Sequence, residues 1–153
     1  MSDIIIPKGY IEAKIKHKDT GLIENLRFDN QVLNAGKELL INALLEPSKA
    51  RIVNILFGDG GTENGEPKEV SPTQDKLNGV VRMRKSVIAQ IDPETPTQAI
   101  FTVVINEDEG NDFVLNEMGL ELSDENLFSL STFSNLNKTD QMEISWSWFV
   151  CLI

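Results

Sequence analysis

The sequence predicts a mainly β protein of the α+β class, an antiparallel β-sandwich with one short helix packed against it. Segments that alternate apolar and polar residues follow one another through most of the chain, and the connections between them have hairpin length, which is typical of antiparallel sheets. The single segment with helical periodicity is too short to be stable unless it packs on a sheet. With 153 residues, 41% of them hydrophobic, we expect residues 1–153 to form a single domain.

The first elements are a hairpin and the helix. Residues 10–28 predict two antiparallel strands joined by a turn at 18–21, where Gly21 supplies the positive φ. Asn34 is expected to cap a helix over residues 35–45, and Pro47 to end it. The apolar stripe that would pack this helix on a sheet consists of Leu39, Leu40, Ala43 and Leu44.

The middle of the chain combines strands with one long loop. Residues 51–57 are almost continuously apolar, which predicts a strand covered on both faces. Residues 58–79 are rich in glycine and acidic side chains and predict an irregular loop with at most a single helical turn. Residues 80–91 and 98–105 predict one antiparallel strand pair.

The last third predicts three further strands, over residues 113–122, 126–133 and 142–153. In the closing run, Trp146 and Trp148 share one strand face with other apolar residues, and serines occupy the opposite face. Two tryptophans on one face represent a large apolar area. We therefore expect them to enter either the sandwich core or a subunit interface.

Charge and composition exclude several classes of function. The net charge is −10, which disfavours nucleic acid and anionic membranes as partners and leaves solubility or attraction to a basic protein as its role. The single cysteine, Cys151, cannot form an internal disulfide and is expected to be a small buried apolar residue. Residues 1–7 lack the basic region of a signal peptide, so we expect a soluble protein that is made in the cytoplasm and has no signal peptide.

No part of the sequence predicts a reaction centre, so we expect a protein that is not an enzyme and holds no cofactor or metal. The glycine-rich loop lacks the lysine of a phosphate-binding loop, and the spacing of Asp59, Glu63, Asn64 and Glu66 does not match an EF-hand. The remaining carboxylate pairs fall in turns, where we expect them to be solvated. His17 is the only histidine.

Two groups of residues remain as candidates. The loop is predicted to be a docking arm for a second subunit or another protein, and the two tryptophans form the second interface candidate; the complete set is Asp59, Gly60, Gly61, Glu63, Asn64, Pro67, Trp146 and Trp148. Structural roles are expected for Glu117, Gly119 and Lys138. We expect Glu117 to form a salt bridge that fixes the strand register, with Arg82, Arg84, Lys85 and Lys138 as the available cations.

Several short motifs occur in an order that resembles a known family. They are a GK-x-LL helix, an FGDGG strand end, an NEMGL strand, a leucine and phenylalanine strand and a KT pair, at residues 30–40, 55–61, 116–120, 126–133 and 138–139. This order is similar to that of the N-terminal attachment domains of tailed-bacteriophage tail-collar fibre proteins. The resemblance covers about residues 30–150, judged by the order of the motifs.

The resemblance implies a structural protein of the virion that works by packing. It implies contacts with other phage tail or virion subunits and homo-oligomers such as trimers or rings. In fibres the domain precedes a shaft and a receptor-binding tip, and this sequence stops where the domain stops. An adaptor, collar, baseplate or fibre-socket subunit is therefore expected. The alternative is a stand-alone module that binds carbohydrate or Ca²⁺ through the 58–79 loop.

Overall fold

The computed structural model describes residues 5–46 and 50–153 and shows two antiparallel sheets packed face to face, with one short helix. The predicted fold class is confirmed. The elements follow along the chain in this order: β1 (Pro7–His17), β2 (Ile23–Asp29), β3 (Gln31–Val32), α1 (Asn34–Leu45), β4 (Ile52–Gly58), β5 (Thr62–Glu63), β6 (Glu66–Pro67), β7 (Val81–Ser86), β8 (Ile88–Ile91), β9 (Gln98–Ile105), β10 (Leu115–Leu122), β11 (Leu127–Leu136) and β12 (Met142–Leu152).

The strands form two five-stranded sheets and one small hairpin. Sheet I has the order β2-β1-β12-β9-β8, and sheet II has the order β3-β11-β10-β4-β7. The short strands β5 and β6 pair only with each other. Every strand pair is antiparallel, as hairpin-length connections predict.

The closing strand β12 lies at the centre of sheet I, between β1 and β9. Trp146 stands opposite Ala13 on one side and Val103 on the other. Both tryptophans are completely buried between the sheets, and the ring of Phe57 from sheet II lies 5.7 Å from the ring of Trp146, centroid to centroid. The apolar face predicted for this strand is therefore the face that fills the core.

Sheet II is covered on both faces. One face contributes Ile55, Phe57 and Met118 to the core between the sheets. The opposite face carries a second apolar cluster formed by Leu33, Leu56, Leu77, Leu127 and Leu130. Leu77 belongs to the segment after β6, so this segment lies over the outer face of sheet II.

Helix α1 packs through its first half only. Gly36 is buried, and a Cβ atom at this position would lie 2.5 Å from the carbonyl oxygen of Phe128 in β11. Leu39 and Leu40 are half-buried, but Ala43 and Leu44 of the predicted stripe are exposed.

The sequence predicted how helix α1 begins and where it ends. Asn34 is not the capping residue, because the helix begins at Asn34 and its N-cap is Leu33, which forms no side-chain cap. The predicted stop at Pro47 lies outside the described residues.

In the part of the chain that the structure describes, no helix is long and apolar enough to cross a membrane.

The strand predicted over residues 80–91 is two strands in different sheets. Strand β7 pairs with β4 in sheet II, whereas β8 pairs with β9 in sheet I. The chain crosses between the sheets at Val87, whose N–H donates to the carbonyl of Val53 at 3.0 Å. The alternation of residue types continues through this crossing, so the sequence pattern gave no sign of it.

Candidate functional site

Residues 59–79, which we call the covering loop, lie over the outer face of sheet II. The loop begins with the hairpin β5–β6, whose turn residues Asn64 and Gly65 have positive φ angles of 52° and 81°. The remainder includes a hydrogen-bonded turn in which Gln74 donates to the carbonyl of Ser71, in place of the predicted helical turn. The predicted irregular loop therefore contains one short hairpin, and the rest of it has no helix or strand.

Glu117 fastens both ends of the covering loop to β10. Its side chain is completely buried. One carboxylate oxygen accepts the backbone N–H of Gly60 at 3.1 Å and that of Gly79 at 2.9 Å. The other accepts the backbone N–H and the side-chain amide of Asn78, at 2.9 and 3.1 Å. Four donors around one carboxylate satisfy a buried charge that would otherwise be strongly unfavourable.

The neighbouring residue, Asn116, holds the first part of the loop in the same way. Its Oδ1 accepts the backbone N–H of Gly61 at 2.7 Å. Its Nδ2 lies 3.1 Å from the carbonyl of Asp59, 3.1 Å from the hydroxyl of Thr62 and 3.0 Å from Oδ1 of Asn135. Asn116 therefore connects the loop to both β10 and β11.

The glycines of the loop permit this close approach. A Cβ atom at Gly61 would overlap the carbonyl of Asn116 and lie 2.8 Å from Cβ of Glu117. A Cβ atom at Gly60 would overlap the backbone of Gly79. The FGDGG and NEMGL motifs thus meet in one packing contact, in which the N–H groups of Gly60 and Gly61 donate to the side chains of Glu117 and Asn116.

The predicted interface residues of the loop separate into two groups. Asp59 accepts from Nε of Arg82 at 3.0 Å, and Gly60 and Gly61 hold the loop on the sheet, so these three residues are part of the fold. The other three, Glu63, Asn64 and Pro67, are exposed on the β5–β6 hairpin. Of the six predicted interface residues in the loop, the three on the hairpin are therefore the exposed ones.

The prediction that Glu117 forms a salt bridge is wrong. Among the described residues its carboxylate has hydrogen-bond donors but no ion-pair partner. Arg84 instead forms a two-point contact with Glu121, at 3.0 and 3.1 Å. Arg84 on β7 reaches Glu121 on β10 across the intervening strand β4, a contact that a charge count along the chain does not reveal.

Gly119 and Lys138 lie on opposite sides of sheet II. A Cβ atom at Gly119 would approach side chains of Leu77 and Leu127 to 3.1 Å, and the register shifts of β10 fall on either side of this residue rather than at it. Lys138 is buried and donates to Oδ1 of Asn111 at 2.8 Å and to the carbonyl of Glu107 at 3.2 Å. Burial lowers the pKa of the Lys138 ammonium.

The two tryptophans belong to the core of a single chain. Of the two locations expected for Trp146 and Trp148, the structure shows the sandwich core, and neither side chain has accessible surface that a partner could contact. Their indole N–H groups are buried and have no hydrogen-bond partner among residues 5–46 and 50–153. Their contribution is therefore to stability rather than to recognition.

The acidic turns form ion pairs. Glu107 pairs with Lys18 at 2.8 Å, and Glu109 pairs with Lys85 at 2.8 Å. Hydrogen bonds from these lysines lower the pKa of both carboxyl groups. These turn carboxylates were expected to be solvated, and the lysines that hold them come from elements distant in the sequence.

The structure assigns no metal site to the predicted oxygen ligands. Asp59 is bonded to Arg82, and Glu63, Asn64 and Glu66 are exposed on the hairpin. Across residues 5–46 and 50–153, no group of three or more His, Cys, Asp or Glu side chains could hold a metal ion. His17 is half-buried with Nε2 3.2 Å from Glu24, and Cys151 is half-buried in β12.

An apolar surface that the sequence analysis did not identify lies on α1. Ile41 and Leu44 are 61% and 80% exposed, and with Ile5, Leu40 and Leu152 they line an open cavity of about 400 Å³. Exposed apolar surface of this kind is typical of protein-binding regions. The incomplete burial of the predicted helical stripe is the reason that this surface exists.

Comparison with known families gives one match. Residues 26–152 match the family model described as Phage tail-collar fibre protein, N-terminal. The matched range begins within β2 and ends with β12, so it contains sheet II, the helix, the covering loop and sheet I apart from β1 and the start of β2. The resemblance inferred from the motifs is confirmed. Comparisons with curated proteins and with solved structures found no match.

Proposed function

The chain belongs to the family of phage tail-collar fibre proteins, N-terminal, and we propose that it is a non-enzymatic adaptor of the tail, collar or baseplate, or of the fibre attachment site. The family is one of structural tail fibre domains, which makes the chain a component of the virion. In this role the protein works by packing against other phage tail proteins and against further copies of itself.

The observation that carries this proposal is the extent of the family match. It covers 26–152, so the part of the chain that matches tail-collar fibre proteins is most of the chain rather than one motif. The carboxylate of Glu117 is occupied by hydrogen bonds from Gly60, Asn78 and Gly79 that hold the covering loop on the sheet. Packing is therefore a better account of these residues than chemistry.

Two surfaces support attachment to other proteins. The β5–β6 hairpin presents Glu63, Asn64 and Pro67 on a rigid base, and its acidic side chains fit a basic region of a tail protein. The apolar surface at Ile41 and Leu44 fits an apolar partner surface. We retain the trimer or ring as the expected form of the homo-oligomer.

The proposal is tested on phage particles. Mass spectrometry of purified particles is expected to detect the protein at a fixed copy number per particle, and its absence from infectious particles would contradict the proposal. The docking role of the hairpin is tested with Glu63→Lys. This variant is expected to reduce incorporation into particles, whereas the control Glu94→Lys, which is equally exposed in the turn between β8 and β9, is expected to incorporate normally.

A further inference from the structure

The two sheets have four edge strands, and they differ in how their free backbone groups are protected. Sheet I ends in β2 and β8, and sheet II ends in β3 and β7. Edge strands present backbone N–H and C=O groups that can pair with another strand, and proteins usually block such pairing with charges or with very short strands.

Three of the four edges carry such protection. Strand β2 carries the charged residues Glu24, Arg27 and Asp29. Strand β7 carries three basic residues within Val81–Ser86. Strand β3 is two residues long. Pairing of β7 with itself would bring like charges together, which is unfavourable.

Strand β8 has the sequence Ile-Ala-Gln-Ile and no charge. All four residues are exposed, Ile88 by 73% and Ile91 by 69%. Ile91 stands opposite Ala99, so it projects from the same face of sheet I as Phe101, which is in the core. Sheet I therefore extends one strand past the region that sheet II covers, and Ile91 remains in solvent.

The direction of the backbone groups follows from the pairing with β9. Asp92 donates its N–H to the carbonyl of Gln98 at 2.9 Å, and backbone groups alternate in direction along a strand. Gln90 therefore faces β9, whereas Ala89 and Ile91 direct their N–H and C=O groups toward the free edge. The nearest acid, Asp92, accepts the N–H of Glu94 and the side chain of Gln98, each at 3.0 Å, so its carboxylate is already engaged within its own turn.

We propose that β8 pairs antiparallel with β8 of a second copy of this chain, about a two-fold axis at Gln90. In this register Ala89 of one copy and Ile91 of the second copy donate a backbone N–H to each other's carbonyl. Ile91 of the first copy and Ala89 of the second do the same, so the outward backbone groups of Ala89 and Ile91 in both copies are paired. Each Ile91 then packs beside the small side chain of Ala89 across the seam. The occupant is a second copy because β8, unlike β2 and β7, meets its own sequence without opposing like charges.

This inference rests on the proposed function, since it names one of the contacts through which copies pack. It joins two five-stranded sheets into one continuous sheet of ten strands. A two-fold contact of this kind closes after two copies, so a ring would need a second, different contact. A trimer cannot be closed by this contact.

The test compares self-association of the full chain and three variants by sedimentation velocity, over a range that reaches about 100 μM. Ala89→Pro removes one outward N–H donor from each copy and leaves the hydrogen bonds between β8 and β9 in place. The loss of these two hydrogen bonds is expected to raise the dissociation constant of the dimer on the order of thirtyfold. Ile91→Lys is expected to abolish the dimer, because it places like charges at the seam. The control Leu22→Lys adds the same charge at a residue 60% exposed near the opposite edge of sheet I and is expected to dimerise normally.

Amide hydrogen exchange gives an independent readout. The amides of Ala89 and Ile91 are expected to exchange quickly in dilute protein and to slow as the concentration rises, whereas the amide of Gln90 is protected throughout. Three results would overturn the proposal: a wild-type chain that remains monomeric, a trimer that Ala89→Pro leaves intact, or a dimer that Leu22→Lys disrupts equally. A monomeric chain that is nevertheless present in purified particles would overturn this inference and leave the proposed function standing.

Discussion

Replacing Glu117 by glutamine is the most direct test of how the covering loop is held. The substitution keeps the shape of the side chain but exchanges one carboxylate oxygen for an NH₂ group. Each oxygen of Glu117 accepts two hydrogen bonds, from Gly60 and Gly79 on one side and from Asn78 on the other. In either orientation of the amide, the NH₂ group therefore faces two donors.

The expected loss of stability follows from those contacts. Hydrogen bonds to a charged group contribute about 1.5–3 kcal/mol each, and two of the four are lost, so Glu117→Gln is expected to reduce the free energy of unfolding by roughly 3–6 kcal/mol. This is a large share of the roughly 5–15 kcal/mol typical of a domain. For a chain of this length it corresponds to a fall in Tm of about 6–24 °C.

The measurement is urea unfolding followed by the fluorescence of Trp146 and Trp148, which are buried in the native core. Glu63→Gln is the matched control, because it makes the same chemical change on the exposed hairpin of the same loop and is expected to change stability by less than about 0.5 kcal/mol. The reasoning is refuted if Glu117→Gln is as stable as the wild type and the amides of Gly60 and Gly79 keep their protection from exchange.

Three further predictions test other parts of the fold. Trp146→Ala is expected to cost roughly 3–5 kcal/mol in urea unfolding, because its side chain is completely buried, whereas Ser145→Ala on the opposite face of β12 is expected to cost less than about 0.5 kcal/mol. Gly36→Ala is expected to lower Tm although alanine favours helices, since the new Cβ would lie 2.5 Å from the carbonyl oxygen of Phe128; a raised Tm would contradict the packing. Because the pKa of Glu109 is lowered in the folded state, its ionised carboxylate stabilises the fold fully above about pH 4.5, and this stabilisation is lost as the pH falls through the folded-state pKa. The free energy of unfolding of Glu109→Gln is therefore expected to fall less steeply with decreasing pH than that of the wild type.

The sequence alone was sufficient for features that depend on local periodicity. Alternation along β12 identified the face that carries Trp146, because residues two apart on a strand share a face and a long apolar face must be buried. The hairpin of β1 and β2 followed in the same way from alternation on both sides of a turn at Gly21. The order of the short motifs further indicated the family, and the family match over residues 26–152 agrees with it.

Features that depend on contacts between distant residues could not be obtained in this way. Helix α1 has the periodicity of an amphipathic helix, but the burial of Leu44 depends on what packs against it in space, and Leu44 is 80% exposed. The crossing at Val87 was likewise missed, because a strand that changes sheets keeps its alternation of residue types. In both cases the result, the burial of a side chain or the sheet that a strand joins, depends on which elements lie next to the residue. The type of the residue does not specify this.

The covering loop shows the same division most clearly. Its glycines and acidic residues have the composition of a flexible segment, and composition alone favours disorder when no apolar surface is available for burial. The tertiary structure decided otherwise, because Glu117 and Asn116, more than fifty residues beyond Gly60 and Gly61, place their acceptors opposite the N–H groups of the loop. The sequence by itself determined which residues alternate, which are apolar and which family they resemble. Only the tertiary structure decided which of them meet, because a hydrogen bond depends on distance in space and the sequence specifies only distance along the chain.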